Sequence, residues 1–143
     1  MKVQRGQVTV PRSSDEAGRG AFDVGHVRRR YARIRKDDGT PVCERCLIAD
    51  DPWLRAKGLL GRSELPADEG VLLRPASSIH MFLMRFSIDA VFLDRDLTVL
   101  KIASDLAPWR LAGMLRSRAV LEVSAGTCAR RGLAVGDRLV IEP

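Results

Sequence analysis

The densest run of chemistry-bearing side chains lies at residues 78–94, where Ser78, His80, Arg85, Asp89 and Asp94 are set among apolar residues. An imidazole and a carboxylate within hydrogen-bond reach can handle a proton together, the imidazole as general base and the carboxylate orienting it. His80 with Asp89 is therefore a candidate catalytic pair for a small hydrolase or lyase-type enzyme. Burying a carboxylate alone is costly, so Asp89, in step with Val91 and Leu93 on an expected strand, must find partners. Arg85, His80 or the backbone N–H groups of a turn could supply them. In the plainer reading Asp89 ties down a loop or the neighbouring strand. In the sharper one His80, Arg85 and Asp89 line a pocket whose titrating groups are tuned by burial. Trp109 and Arg110 form a contact pair on an expected loop, where binding residues often sit on a rigid scaffold. The alternative for Trp109 is that it folds back onto the core.

Other constellations point to chemistry less well. Cys43 and Cys46 make a C-x-x-C, but structural zinc takes four ligands, and Cys128, His26 and His80 stand at no matching spacing. If residues 42–49 are a strand, the two thiols face opposite ways, which spoils both chelation and a dithiol. A redox pair would sit at a helix N-terminus. His80, Met81 and Met84 could serve as soft ligands for copper(I), but methionines in apolar runs are more often core filler. No metal or cofactor is expected, and no Gly-rich phosphate loop or nucleophile elbow is present. The strongest charge feature is residues 28–36, where Arg28, Arg29, Arg30, Arg33, Arg35 and Lys36 surround Tyr31. Such a strip could hold nucleic-acid phosphates while the ring stacks on a base. The plainer reading, favoured because the strip is short and the chain Arg-rich throughout, is a solvated edge strand whose charges prevent edge-to-edge pairing.

The elements that must position these residues read as one domain. The chain has 143 residues, 45% of them hydrophobic, which is enough for a single core. No apolar run reaches the roughly 20 residues of a membrane helix, so membrane insertion is not expected. The N-terminus lacks an apolar signal region, which points to a cytoplasmic, reducing setting without disulfides. The formal charge is +6, and the first 40 residues carry most of it, with 10 basic and 5 acidic side chains. Residues 1–25 have the composition of a disordered tail, leaving 26–143 as the domain. From Arg30 on, Asp37-Asp38-Gly39-Thr40 should turn a hairpin between strands at 31–35 and 42–49. Asp50-Asp51-Pro52 should start a helix that packs Trp53, Ala56 and Leu60 or Leu59 on a sheet, with Gly58 inside it and Gly61 ending it. Strands are expected at 70–74, 79–84, 88–93, 98–102, 119–123 and 138–142, with a long loop at 105–118. A second short helix is expected near Thr127, capped by that residue and leaving through Gly132. Many short strands and two short helices make an α+β, β-rich fold, a small twisted sheet curled into a barrel or sandwich.

Three segments, taken together, resemble a known family. They are Trp53-Leu54-Arg55-Ala56-Lys57-Gly58-Leu59-Leu60-Gly61-Arg62, the run from Ser78-Ile79-His80 to Ile88-Asp89-Ala90-Val91-Phe92-Leu93-Asp94, and Val120-Leu121-Glu122-Val123 with Ala125-Gly126, Gly132 and Gly136-Asp137. Their order and spacing are similar to those of domain of unknown function 192, a bacterial and archaeal family, over about residues 41–143. Ser87 stands where the family commonly has proline. The resemblance implies a compact β-rich domain and carries no established reaction, substrate or cofactor. It marks Arg55, Arg62, Asp89, Glu122 and Asp137 as recurrent polar positions. The favoured function is a non-enzymatic accessory domain that binds a small molecule or protein through a face bordered by His80, Arg85, Asp89, Trp109 and Arg110. The enzyme using His80 and Asp89 is second, and nucleic-acid binding through the arginine strip is third.

Overall fold

The computed structural model describes residues 29–51, 55 and 59–143. The expected tail, Arg28 of the strip, and the body of the expected first helix with Trp53, Ala56 and Gly58 lie outside the described residues.

β1 (Arg30–Lys36) and β2 (Pro41–Ala49) form the expected hairpin. Gly39 takes φ +92° in its turn, and Asp38 accepts the Thr40 N–H at 2.9 Å, so the Asp-Gly pair does what its chemistry favours. The chain crosses over to β3 (Glu69–Leu73), which runs parallel to β2. Beyond it lie β8 (Ala119–Ser124), β5 (Ile88–Leu93) and β6 (Val99–Leu106), each antiparallel to its neighbour. On the other side of β1 lies β9 (Leu139–Glu142), giving a seven-stranded sheet in the order β6-β5-β8-β3-β2-β1-β9. A separate ribbon pairs β4 (Ser78–His80) with β7 (Leu111–Gly113). Among the described residues one short helix, α1 (Thr127–Arg130), is complete. The bond from the Arg55 N–H to the Asp51 carbonyl at 2.9 Å has the spacing of a helical turn.

The sheet curls into a half-barrel. Its two edge strands meet at one end, where Thr98 bridges Arg138 and the Val99 N–H donates to the Asp137 carbonyl at 2.8 Å. The concave face buries Ile34, Val42, Leu72, Val91 and Leu121. The outer face carries Val71, Ala90, Phe92 and Val120, and it is covered by Leu59, Leu65, Ile79 and Met81. A sheet covered on both faces explains why Ile88–Leu93 is buried throughout instead of alternating.

Several expectations change. The strand expected at 79–84 ends at His80, because the Met81 N–H and carbonyl turn to Arg110 and Trp109 (2.8 and 2.7 Å) and Leu83 adopts φ +64°. The expected loop at 105–118 contains β7. The arginine strip is on β1, which β2 and β9 flank, so it is not an edge strand. Thr127 does not cap its helix; Gly126 holds the cap position at φ +89°. Cys43 and Cys46 do not face opposite ways. Ala32 pairs with Cys46 and Ile34 with Cys43, so β2 carries one extra residue at Glu44–Arg45, and this bulge turns both thiols into the concave core.

Gly70 lies in close contact with neighbouring strands: an added Cβ would sit 2.7 Å from the Glu122 carbonyl oxygen and 3.1 Å from Cys43 Sγ. Gly70→Ala should therefore lower unfolding free energy by about 1–3 kcal/mol through overpacking, measured by urea denaturation of the full chain. An unchanged midpoint would contradict this packing.

Candidate functional site

Asp89 is 1% exposed and fully engaged. Its Oδ1 accepts the Asp105 N–H at 2.9 Å, and its Oδ2 accepts the N–H groups of Gly126 and Cys128 at 3.1 and 3.0 Å. The carboxylate thus supplies the cap that Thr127 was expected to give, from a strand 37 residues away. Cys128 feels its presence. Burial first, and then the charge of Asp89, push the thiol up to about 12.

His80 belongs to the other face. Val91 and Leu93, in step with Asp89, belong to the concave core, whereas Ile79, beside His80, belongs to the outer layer. The sheet separates the imidazole from the carboxylate, and the expected His80–Asp89 pair does not form. The His80 ring instead stacks on Phe82 (5.0 Å between centroids, 28° between planes), and Phe82 meets Trp109 at 5.9 Å. Trp109 is 63% exposed and does not fold back onto the core. The turns that carry these rings are clasped by the two Met81 backbone bonds, and Trp109 adopts φ +68°. Arg85 and Arg110 are exposed on the same two turns.

Beneath the His80–Phe82 end of this ladder is a cavity of about 130 Å³. Its walls include Leu59, Leu73, Ile79 and Met84, with Arg55 and His80 also lining it, and Glu122 is part of its lining. Glu122 sits on central strand β8 between Ala90 and Val71, pointing to the outer layer with Val120. It is 7% exposed, and among the described residues no donor meets its carboxylate. Burial alone pushes its carboxyl from 4.5 to about 7. The residue reading of the apolar run missed Glu122 as a site. The argument applied to Asp89, that a carboxylate inside an apolar strand needs partners, applies equally to residues 119–123.

The other recurrent polar positions are engaged. Arg55 donates to the Pro75 carbonyl at 3.3 Å, Arg62 pairs with Glu69 at 2.9 Å, and Asp137 accepts the Ala134 N–H at 2.8 Å. The arginine strip is largely neutralised. Arg30 pairs with Asp50, Arg33 lies 3.8 Å from Glu44, and Lys36 lies 3.3 Å from Asp137. Arg35 is 3.0 Å from Glu142 in an ion pair that lacks hydrogen-bond alignment. Arg29 lines a larger cleft with Tyr31, Arg45 and Arg62, in which the Arg45 guanidinium lies 4.4 Å over the Tyr31 ring. All three cysteines are buried free thiols, and contact with Cys43 together with burial raises the Cys46 thiol far above its ordinary range. Among the described residues no helix is long and apolar enough to cross a membrane, and no three metal-ligating side chains converge.

Two measurements check these assignments. Asp89→Asn replaces an acceptor oxygen with a donor against N–H groups, and should cost about 2 kcal/mol or more, whereas His80→Ala should cost less than about 1 kcal/mol. Between about pH 4.5 and about pH 7 the folded chain keeps a proton on Glu122 that the unfolded chain has released, so Glu122 makes stability fall as pH rises through that window. Glu122→Gln removes this effect. Its stability relative to the parent should rise by about 3 kcal/mol from pH 4 to pH 8, read from denaturation curves at both pH values.

The family model of domain of unknown function 192 (DUF192, Uncharacterized ACR) matches residues 33–141, beginning earlier than the segment that first showed the resemblance. No curated protein matches the chain. Among solved structures, a protein of Sinorhizobium meliloti 1021 described as a candidate transcription regulator superposes with a TM-score of 0.72 at 27% identity, covering 82% of this chain and 98% of its own. A protein of unknown function from Novosphingobium aromaticivorans DSM 12444 gives a TM-score of 0.69 at 26% identity, covering 85% of this chain and 91% of its own. With its matched segment running from β1 into β9 and taking in Asp89, Glu122 and the ladder, the chain belongs to the DUF192 family.

Proposed function

We propose that this domain is a non-enzymatic binding module whose contact surface is the aromatic ladder His80–Phe82–Trp109 together with the β4–β7 ribbon. One observation carries the reading. Phe82, Leu83, Trp109, Leu111 and Leu115 are all exposed, Leu111 by 67% and Leu115 completely, and they come from one ribbon and its adjoining turns. Solvent-facing apolar side chains concentrated in this way mark interaction surfaces in folded proteins. Trp109 is the natural anchor, with Arg85 and Arg110 as charged neighbours. The partner that fits is a protein segment with apolar side chains.

The enzyme reading has less support, since Asp89 is occupied by three N–H groups on the far side of the sheet from His80. Nucleic-acid binding through the arginine strip draws no support from charges already paired with carboxylates. A regulatory role like the one suggested for the Sinorhizobium protein is compatible with protein contacts alone.

Chemical-shift mapping of the full chain against a library of aliphatic and aromatic peptides tests this reading. The largest shifts should fall on Phe82, Trp109 and Leu111, and Trp109→Ala should weaken the best peptide roughly tenfold or more. Shifts confined to the cleft of Tyr31, Arg45 and Arg62 would overturn it.

A further inference from the structure

We propose that the cavity lined by Glu122 is a binding site for a primary ammonium group on a short aliphatic stem. The site adjoins the ladder and shares His80 and Phe82 with it, but it stands on Glu122 and not on Trp109.

The first argument is the carboxylate itself. Glu122 is more than nine-tenths buried and has no donor among the described residues. The protein knows how to satisfy a buried carboxylate, since Asp89 on the adjacent strand receives three N–H groups. A carboxylate set in the sheet that opens onto a cavity, with no donor among the described residues, is a position that a ligand can complete. Cation and carboxylate together would also restore the ionised form that burial disfavours.

The cavity then selects among cations and donors. At about 130 Å³ it holds the equivalent of roughly four waters, which accommodates a short stem. Leu59, Leu73, Ile79 and Met84 offer apolar walls to methylene groups, and His80 and Phe82 also line the cavity, where an aromatic ring can attract a cation. A divalent metal would require further ligands, and among the described residues no three ligating groups converge. An anion would have to approach Glu122 directly. Among the described residues, the other charged or titratable groups lining the cavity are Arg55, whose guanidinium is held by the Pro75 carbonyl, and His80. Neither is within hydrogen-bond reach of the Glu122 carboxylate. Below about pH 7 the entry of an ammonium should expel the Glu122 proton, so affinity should rise as pH rises toward that value.

The test uses the full chain, with n-butylamine as its cationic form, n-butanol and n-butyrate as probes, and the carboxyl carbons of glutamate labelled for NMR. Butylammonium should shift the Glu122 signal saturably and lower its apparent pKa. Butanol should bind about tenfold more weakly or worse, as should butylammonium to Glu122→Gln, whose amide spectrum confirms that it is folded. Equal binding to Glu122→Gln, preference for butyrate, or a Glu122 signal that no amine moves would each overturn the proposal. Its source is read from a blocked lysine dipeptide: binding tighter than butylamine places the ammonium on a partner's lysine, and weaker binding places it on a free amine, both consistent with the site. Loss of butylammonium binding with peptide binding intact removes this site alone, and the reverse result removes the ladder alone.

Discussion

A carboxylate inside a sheet protein is tolerable where N–H groups come to meet it, and at Asp89 three do. Those bonds fasten the end of β5 to the chain at Asp105 and to the entry of α1. The segment after α1 forms the turn at Asp137 and then β9, whose approach to β6 closes one end of the half-barrel. One side chain on a central strand thus anchors the piece of chain that joins the two edges of the sheet. A four-residue helix has little stability of its own, and its entry is fixed from outside, by Asp89, instead of by its own first residues.

The outer face obeys the same rule with a different outcome. It is covered by a three-residue ribbon, two tight turns and the segment around Leu59 and Leu65. Among the described residues that cover does not seal the face. Where it is thin, rings stand in solvent and a cavity reaches down to β8. Asp89 and Glu122 therefore make a controlled comparison within one sheet: adjacent strands, opposite faces, both more than nine-tenths buried, one supplied with three donors and one, among the described residues, with none and facing a cavity.

Strand periodicity, the Asp-Gly turn and the run at residues 88–93 were legible in the sequence because they depend on local chemistry. The bulge at Glu44–Arg45 was not. It arises from how β2 fits between β1 and β3, with the Glu44 and Arg45 N–H groups both donating to the Asp68 carbonyl, a long-range arrangement that no local pattern encodes. The end of the strand at His80 was hidden for the same reason, because Met81 turns toward residues 109–110, almost thirty positions on. On the site, His80 and Trp109 were found by residue type and loop position, and the partners of Asp89 were among the options. Its separation from His80 required knowing that consecutive strands lie on different layers. Glu122 appeared as a recurrent polar position without a role, since whether a buried carboxylate has donors is decided by tertiary structure.

The bulge in β2 has a consequence for when the sulfurs can react. By turning Cys43 and Cys46 into the same interior, with Cys128 also enclosed, it keeps all three sulfurs away from solvent oxidants, and contact with Cys43 together with burial raises the Cys46 thiol, and burial the Cys128 thiol, above the ordinary range. Attack on a disulfide or a peroxide needs the thiolate. An oxidant in solution therefore reaches these sulfurs only when the fold opens, which ties their reactivity to unfolding and not to the surface of the native chain.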